Sequence, residues 1–195
     1  MKAVLMSIKP RWCELIASGK KTVEVRKTKP KLEVPFKVYI YCTADRRKHI
    51  ADTFVPQTPL FVKNGMAKSS IGREDGFPWK LGNGKVIGEF VCDSIYPFHY
   101  ELSKGFYEPR EFLWGSCLSL EQLKDYVGGS LGYAWHISNL VIYDKPMWLE
   151  EFRRSCPDDV YSCAMCRHGD YTGMRCTPFT RPPQSWCYVE EVNDG

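Results

Sequence analysis

Two groups of residues in this chain have the types and spacing for chemistry. The first is the run Gly19 to Lys27, GKKTVEVRK, which concentrates Lys20, Lys21, Glu24, Arg26 and Lys27 on a short β-branched stretch. Alternation makes Thr22 to Arg26 a strand with Val23 and Val25 on one face and Thr22, Glu24 and Arg26 on the other. An acid and a base then stand side by side, either as a recognition surface for polar ligands or as a plain structural Glu24–Arg26 pair. The second group is Cys156, Cys163, Cys166, Cys176 and Cys187, in the pattern C-x6-C-x2-C-x9-C-x10-C with His168 two residues after Cys166. A C-x2-C knuckle offers two thiolates to one ion from a tight turn, and two more Cys at loop-length separations complete a tetrahedron. Cys163, Cys166, Cys176 and Cys187 are the preferred ligands of a structural zinc, with Cys156 or His168 as a substitute for one of them. An iron–sulfur cluster could use the same thiolates, but the spacing does not match the common ferredoxin patterns. Free thiols in a polar tail are the alternative, since the second half is spaced more widely than usual.

The elements that must hold these groups fit in 195 residues, enough for one globular domain with a small appendage. The formal charge is +4, yet residues 1–31 carry nine Lys/Arg against only Glu14 and Glu24. That asymmetry suggests an anionic, phosphate-bearing partner, and a solvated Lys-rich face gives the same count. No stretch reads as a signal peptide or approaches the ~20 apolar residues of a membrane span, so a cytoplasmic protein without membrane contact is expected. Nine Cys is an odd number and cannot pair completely within one chain, which favours metal ligation for those that cluster. Cys13, Cys42, Cys92 and Cys117 sit in or beside apolar stretches and read as packing residues.

Lys2–Ser7 reads as a first strand, followed by a helix opened by Pro10 and stopped by Gly19, with Trp12, Leu15 and Ile16 as its apolar stripe. Lys37–Thr43 and Lys85–Asp93 are strands. Residues 44–84 between them read as an insertion, mostly loop around a short helix near Arg46 to Thr53. Ser119–Val127 carries a capping box (Ser119, Gln122) and ends at Gly128 and Gly129. Tyr133–Tyr143 reads as one strand, Pro146–Phe152 as a helical turn or short helix and Trp186–Glu191 as a last strand. Short strands with a few helices give an α+β or small β-barrel architecture. The expected division is 1–152 for the domain, with the 44–84 insertion, and 153–195 for a Cys-rich segment packing back on it.

The run SIKPRWCELIASGKKTVEVRK resembles the ASCH domain, whose motif G-x-K-x-x-E-x-R is filled by Gly19, Lys21, Glu24 and Arg26. The segments YAWHISNLVIYDKP and RPPQSWCYVEE are similar to those of bacterial and phage ASCH-containing proteins. The resemblance implies a PUA-like β-barrel, related to the RNA-binding PUA, YTH and EVE domains, with a cleft where the motif residues gather. It implies RNA or a nucleotide as the partner. In such a cleft Lys21 is the principal cation, Glu24 an acceptor for a base or amine edge, and Arg26 a planar donor to phosphate or to Glu24. Lys9 and Arg11 flank Pro10 at the helix start and, with Lys20 and Lys27, form a phosphate-tracking rim. Trp12, Trp135 or Tyr133 would supply a stacking surface and His136 a base-edge donor or weak base, although core packing fits each as well. Some small relatives of this fold hydrolyse N4-acetylcytidine with a lysine and a threonine from the motif and a distant glutamate. Here Lys21 is present, Glu24 takes the threonine's place, and Thr22 lies two residues earlier; Lys21, Thr22 and Glu24 are therefore the catalytic set if the protein is an amidohydrolase or nuclease, with Glu89, Glu108 or Glu111 as the further carboxylate. A protein-interaction module using the insertion or the knuckle is the third class of function.

Overall fold

The apolar run from Lys2 to Ile8 becomes strand β1, buried from Ala3 onward on both of its faces. The computed structural model describes residues 2–44, 62–63, 66–67, 84–101, 105–107, 113–155 and 179–192. Helix α1 (Pro10–Ala17) follows, then β2 (Val23–Arg26), β3 (Phe36–Cys42), β4 (Val62–Lys63), β5 (Met66–Ala67), β6 (Lys85–Cys92), β7 (Ile95–Glu101) and β8 (Gly105–Tyr107). Helix α2 (Leu120–Val127), β9 (Gly132–His136), β10 (Ser138–Met147), a 3-10 turn (Leu149–Glu151) and β11 (Trp186–Glu190) complete the described elements.

Five strands form one sheet in the order β10-β6-β3-β1-β11, with β1 and β3 parallel and the other pairs antiparallel. Strand alternation divides its side chains between two cores. Val4, Met6 and Ile8 of β1 and Phe36, Val38, Ile40 and Cys42 of β3 enter the first, with Ile16 of α1 and Trp135; Ala3 and Leu5, with Tyr39 and Tyr41, enter the second, against Leu149, Phe152 and Phe179. Each fully buried aliphatic contributes about 1.5–3 kcal/mol by leaving water. β10 crosses β6 so closely that a Cβ on Gly88 would stand 2.3 Å from the Val141 carbonyl oxygen, which is why the β6 sequence breaks to glycine there.

A second sheet, β2-β9-β7-β8, lies over a third core of Val23, Val25, Phe98, Leu113, Leu123, Val127 and Ala134, roofed by α2. Helix α2 starts as its sequence indicates: Gln122 N–H donates to Ser119 Oγ (3.2 Å), Ser119 N–H donates to Gln122 Oε1 (3.0 Å), and Gly128 ends it at φ 57°.

Among the described residues the architecture is α+β, mostly sheet with two helices. Among the described residues the strands form open sheets and no closed barrel is found. The single strand read over Tyr133–Tyr143 is corrected to two, β9 and β10, which belong to different sheets and meet at Ile137; the corner is marked in the sequence only by the polar pair Ser138–Asn139, with Asn139 at φ 47°, inside a run otherwise rich in strand formers. Of the helical turn or short helix read at Pro146–Phe152, the structure has the turn, a 3-10 turn at Leu149–Glu151, but Pro146 and Met147 belong to β10, with Pro146 tolerated because β10 is an edge strand. β7 went unread because Pro97 interrupts its run. The strand accommodates that proline where β7 pairs only with β9, before β8 begins to pair at His99. The short helix expected near residues 46–53 lies outside the described residues. No helix among them is long and apolar enough to cross a membrane.

Candidate functional site

β2 is a four-residue strand buried at every position, which strands with one polar face are not. Val23 and Val25 go to the third core, as alternation requires, so Glu24 and Arg26 project from the opposite face. Lys21 joins them although it sits three residues from Glu24. The offset comes from the backbone: Thr22 N–H and Val23 N–H both donate to the Gly115 carbonyl (2.8 and 3.0 Å), two amides on one oxygen as at a β-bulge, and the chain turns Lys21 to the Glu24 side. Gly115 is required there, because a Cβ on it would lie 2.4 Å from Thr22 Oγ1.

The three charges form one buried triad. Lys21, Glu24 and Arg26 are 2, 6 and 8% exposed. Lys21 Nζ lies 3.2 Å from Glu24 Oε2 and Arg26 Nη2 lies 2.9 Å from Glu24 Oε1. Backbone carbonyls hold the cations from behind: Lys21 Nζ donates to Ser116 O (2.7 Å) and Arg26 Nη2 to Ser7 O (2.8 Å), with Arg26 Nη1 donating to Ser185 Oγ at 3.4 Å. Among the described residues Arg26 Nε has no hydrogen-bond partner, and Glu24 Oε2, also buried, has only its ion pair with Lys21. A buried donor left unpaired, and a buried carboxylate oxygen with spare accepting capacity, are costly unless something fills them.

The triad lines a cavity of about 400 Å³. Trp12 and Tyr126 also line it, with Ser7, Lys9, Leu118, Gln122, Pro183 and Gln184 among the rest. Lys21 Nζ stands 5.3 Å from the Trp12 ring centre, and Lys27 Nζ 5.4 Å from that of Tyr126. Burial raises the Tyr126 phenol above its ordinary value, with Arg26 pulling it down and Glu24 pushing it up, so at neutral pH it is an O–H donor. Both ends of the chain meet here. Ser7 Oγ donates to Pro183 O (2.7 Å), and Ser7 N–H to Ser185 O (2.9 Å), which ties the approach to β11 against the end of β1.

Of the residues singled out in the sequence, Lys9, Trp12, Lys21, Glu24 and Arg26 share this cavity. Arg11, Lys20 and Lys27 are exposed beside it, and Arg11 caps the Trp12 ring from 5.0 Å. Thr22 is exposed and outside the lining. Trp135 is fully buried in the first core, edge-on to Phe36 at 5.7 Å, which leaves no ring face for a base. His136 also lies outside the lining; its Nδ1 is 2.7 Å from Asp93 Oδ1. Glu89 is across the larger sheet, bound to Lys37 (2.9 Å) and Tyr143, while residues 108 and 111 lie outside the described residues. The sequence reading missed Ser116, Gln122, Tyr126, Pro183 and Gln184. Ser7 alone carried a signal, as the polar residue of an apolar strand.

Cys156, Cys163, Cys166, Cys176 and His168 are outside the described residues. Cys187 is on β11, half-buried beside the second core, where burial pushes its thiol up to about 11 against the pull of Arg154. Among the described residues no group of three or more His, Cys, Asp or Glu could hold a metal. Cys13, Cys42 and Cys92 are buried, and Cys117 is half-exposed.

Comparison with known proteins returns one family, the ASCH domain, whose profile matches residues 6–114. No curated protein matches. Among solved structures, the fold is similar to that of ASCH from Zymomonas mobilis, at TM-score 0.47 and 17% identity, covering 97% of this chain and 88% of that one. Two variants of the Zymomonas mobilis protein are similar in the same way. A tyrosine-to-phenylalanine variant gives TM-score 0.46 and 18% identity over 98% of this chain and 92% of that one. A serine-to-alanine variant gives 0.47 and 17% over 97% and 89%.

Proposed function

We propose that this chain, which belongs to the ASCH domain family, binds RNA or a nucleotide by taking one nucleotide unit into the cavity lined by Lys21, Glu24 and Arg26. The observation that carries this reading is the buried triad facing a cavity of about 400 Å³, within the range of small-ligand sites. Buried ion triads are poor stabilisers, since apolar residues of similar volume do as well or better, so a triad at the wall of a cavity points to recognition. Glu24 Oε2 and Arg26 Nε supply an acceptor and a donor for a base edge. Trp12 and Tyr126 supply aromatic faces, the usual means of holding an unpaired base. Lys9 at the lining, with Lys20 and Lys27 outside it, supplies charge for phosphates.

A cytoplasmic protein of this kind uses the family's PUA-like scaffold in residues 1–152. Residues 153–195 form the Cys-rich segment, with a structural zinc on Cys163, Cys166, Cys176 and Cys187 folding it against the domain. Zinc would require Cys187 to lose its proton and turn from the second core.

The test is a fluorescence-anisotropy titration of short single-stranded RNA and DNA at two salt concentrations, with the parent, Lys21→Met and Glu24→Gln. Contacts from three lysines to phosphates give a slope of log affinity against log salt of about −2, and both variants lose binding. Binding indifferent to salt and to both substitutions would reject the reading.

A further inference from the structure

Trp114 is 76% exposed, against 58% for Trp148 and 52% for Leu120, the next most exposed large apolar side chains among the described residues. Its backbone is nevertheless fixed. Leu113 is buried in the third core, Ser116 N–H donates to Leu113 O (3.0 Å), Cys117 N–H donates to Trp114 O (3.2 Å), and the next carbonyl, Gly115 O, takes the amides of Thr22 and Val23. A large aromatic face is thus held out to solvent on a preorganised turn, and little ordering remains to be done when a planar ligand lands on it.

The same turn backs the wall of the cavity. Ser116, two residues on, gives its carbonyl to Lys21 Nζ, and Leu118 lines the cavity. Two Cα steps place Trp114 within about 7.6 Å of Ser116 along the backbone. A cation lies beside the turn: Cys117 Sγ donates to Lys20 O at 3.2 Å, which sets exposed Lys20 next to it, and at the cavity Lys27 stands over Tyr126. On α2, the residues that reach the lining, Gln122 and Tyr126, are uncharged, whereas Glu121 and Asp125 stand one position aside.

We propose that Trp114 is a second stacking platform, which takes the base next to the one in the cavity on a single-stranded polynucleotide, with Lys20 against the phosphate between them. This rests on the cavity holding a nucleotide unit and makes the ligand a chain rather than a free nucleotide. Stacking tolerates any base, so the platform adds affinity without sequence preference.

Anisotropy titrations of a labelled hexanucleotide RNA, with a mononucleotide measured by competition, compare the parent, Trp114→Ala and Trp114→Phe. The expected result is about 5- to 150-fold weaker hexanucleotide binding for Trp114→Ala, the loss that one base–aromatic stack brings, with the mononucleotide unaffected and Trp114→Phe close to the parent. Unchanged hexanucleotide binding by Trp114→Ala overturns the platform and leaves the cavity reading standing. Equal weakening of both ligands also overturns it, because Trp114 would then act only through the turn that holds Lys21. If the parent binds neither ligand, the cavity reading fails and the platform with it.

Discussion

Glu24→Ala removes the one carboxylate that two cations share. Lys21 and Arg26 are 2 and 8% exposed, and their contacts to Glu24 are 3.2 and 2.9 Å. After truncation, among the described residues, Lys21 keeps the Ser116 carbonyl and the Trp12 ring at 5.3 Å, and Arg26 keeps the Ser7 carbonyl and the long contact to Ser185 Oγ. Neither set neutralises a full positive charge. Breaking a buried pair by removing one partner costs about 3–5 kcal/mol, and for a chain of this size each kcal/mol lowers Tm by ~2–4 °C. The expected loss is therefore about 6–20 °C by circular dichroism, with a matching fall in the urea midpoint. Replacing all three together (Lys21→Met, Glu24→Leu, Arg26→Met) should restore stability to within about 1 kcal/mol of the parent or better while abolishing ligand binding. A Glu24→Ala variant within about 0.5 kcal/mol of the parent would refute the reasoning, because it would mean that the triad behaves as a solvated surface pair.

Thr22→Ala should leave RNA binding unchanged, and with it any turnover of N4-acylated cytidine, because Thr22 lies outside the cavity while Glu24 lines it; loss of turnover in Thr22→Ala alone would place the chemistry elsewhere. Partial burial pushes the Asp93 carboxyl up, but hydrogen bonds from His136, Ser138 and Ser94 outweigh it and hold the group below its ordinary value. A depressed carboxyl stabilises the fold above the ordinary pKa of about 3.9 and loses that contribution as pH falls through its folded value; Asp93→Asn should thus lower the urea midpoint at neutral pH and cease to matter in acid. Elemental analysis of chelator-free protein should find close to one zinc per chain, with Cys163→Ser and Cys166→Ser losing it, and less than about half an equivalent would count against the knuckle.

Much of the scaffold could be read from local pattern. β1, β3 and β6 are apolar enough for any pairing to bury them, Pro10 and Gly19 bracket α1, and the Ser119–Gln122 box opens α2. Sheet membership was not legible, since the corner at Ile137 is marked only by the polar pair Ser138–Asn139 inside a run rich in strand formers. At the site, Lys21, Glu24 and Arg26 were found by spacing, with Lys9 and Trp12 nearby. Their convergence was not, because strict alternation groups Thr22 with Glu24 and Arg26, and only the shared Gly115 carbonyl exchanges Thr22 for Lys21. Tyr126, Gln122, Pro183 and Gln184 reach the cavity through long-range packing, which leaves no local signature. Trp135 could be read as platform or as core, because an aromatic on a strand is the same letter whether its face is open or buried, and the structure has it in the core.

The most direct test of the account is to map where a nucleic acid touches the protein. Photocrosslinking of a thiouridine-containing single-stranded RNA to the full chain, followed by peptide mass spectrometry, should place adducts on Trp12 and Tyr126 and in the peptide carrying Pro183 and Gln184. Those adducts should disappear in the Lys21→Met, Glu24→Leu, Arg26→Met variant. Adducts confined to residues 45–61 or 156–178, and unchanged in that variant, would contradict it.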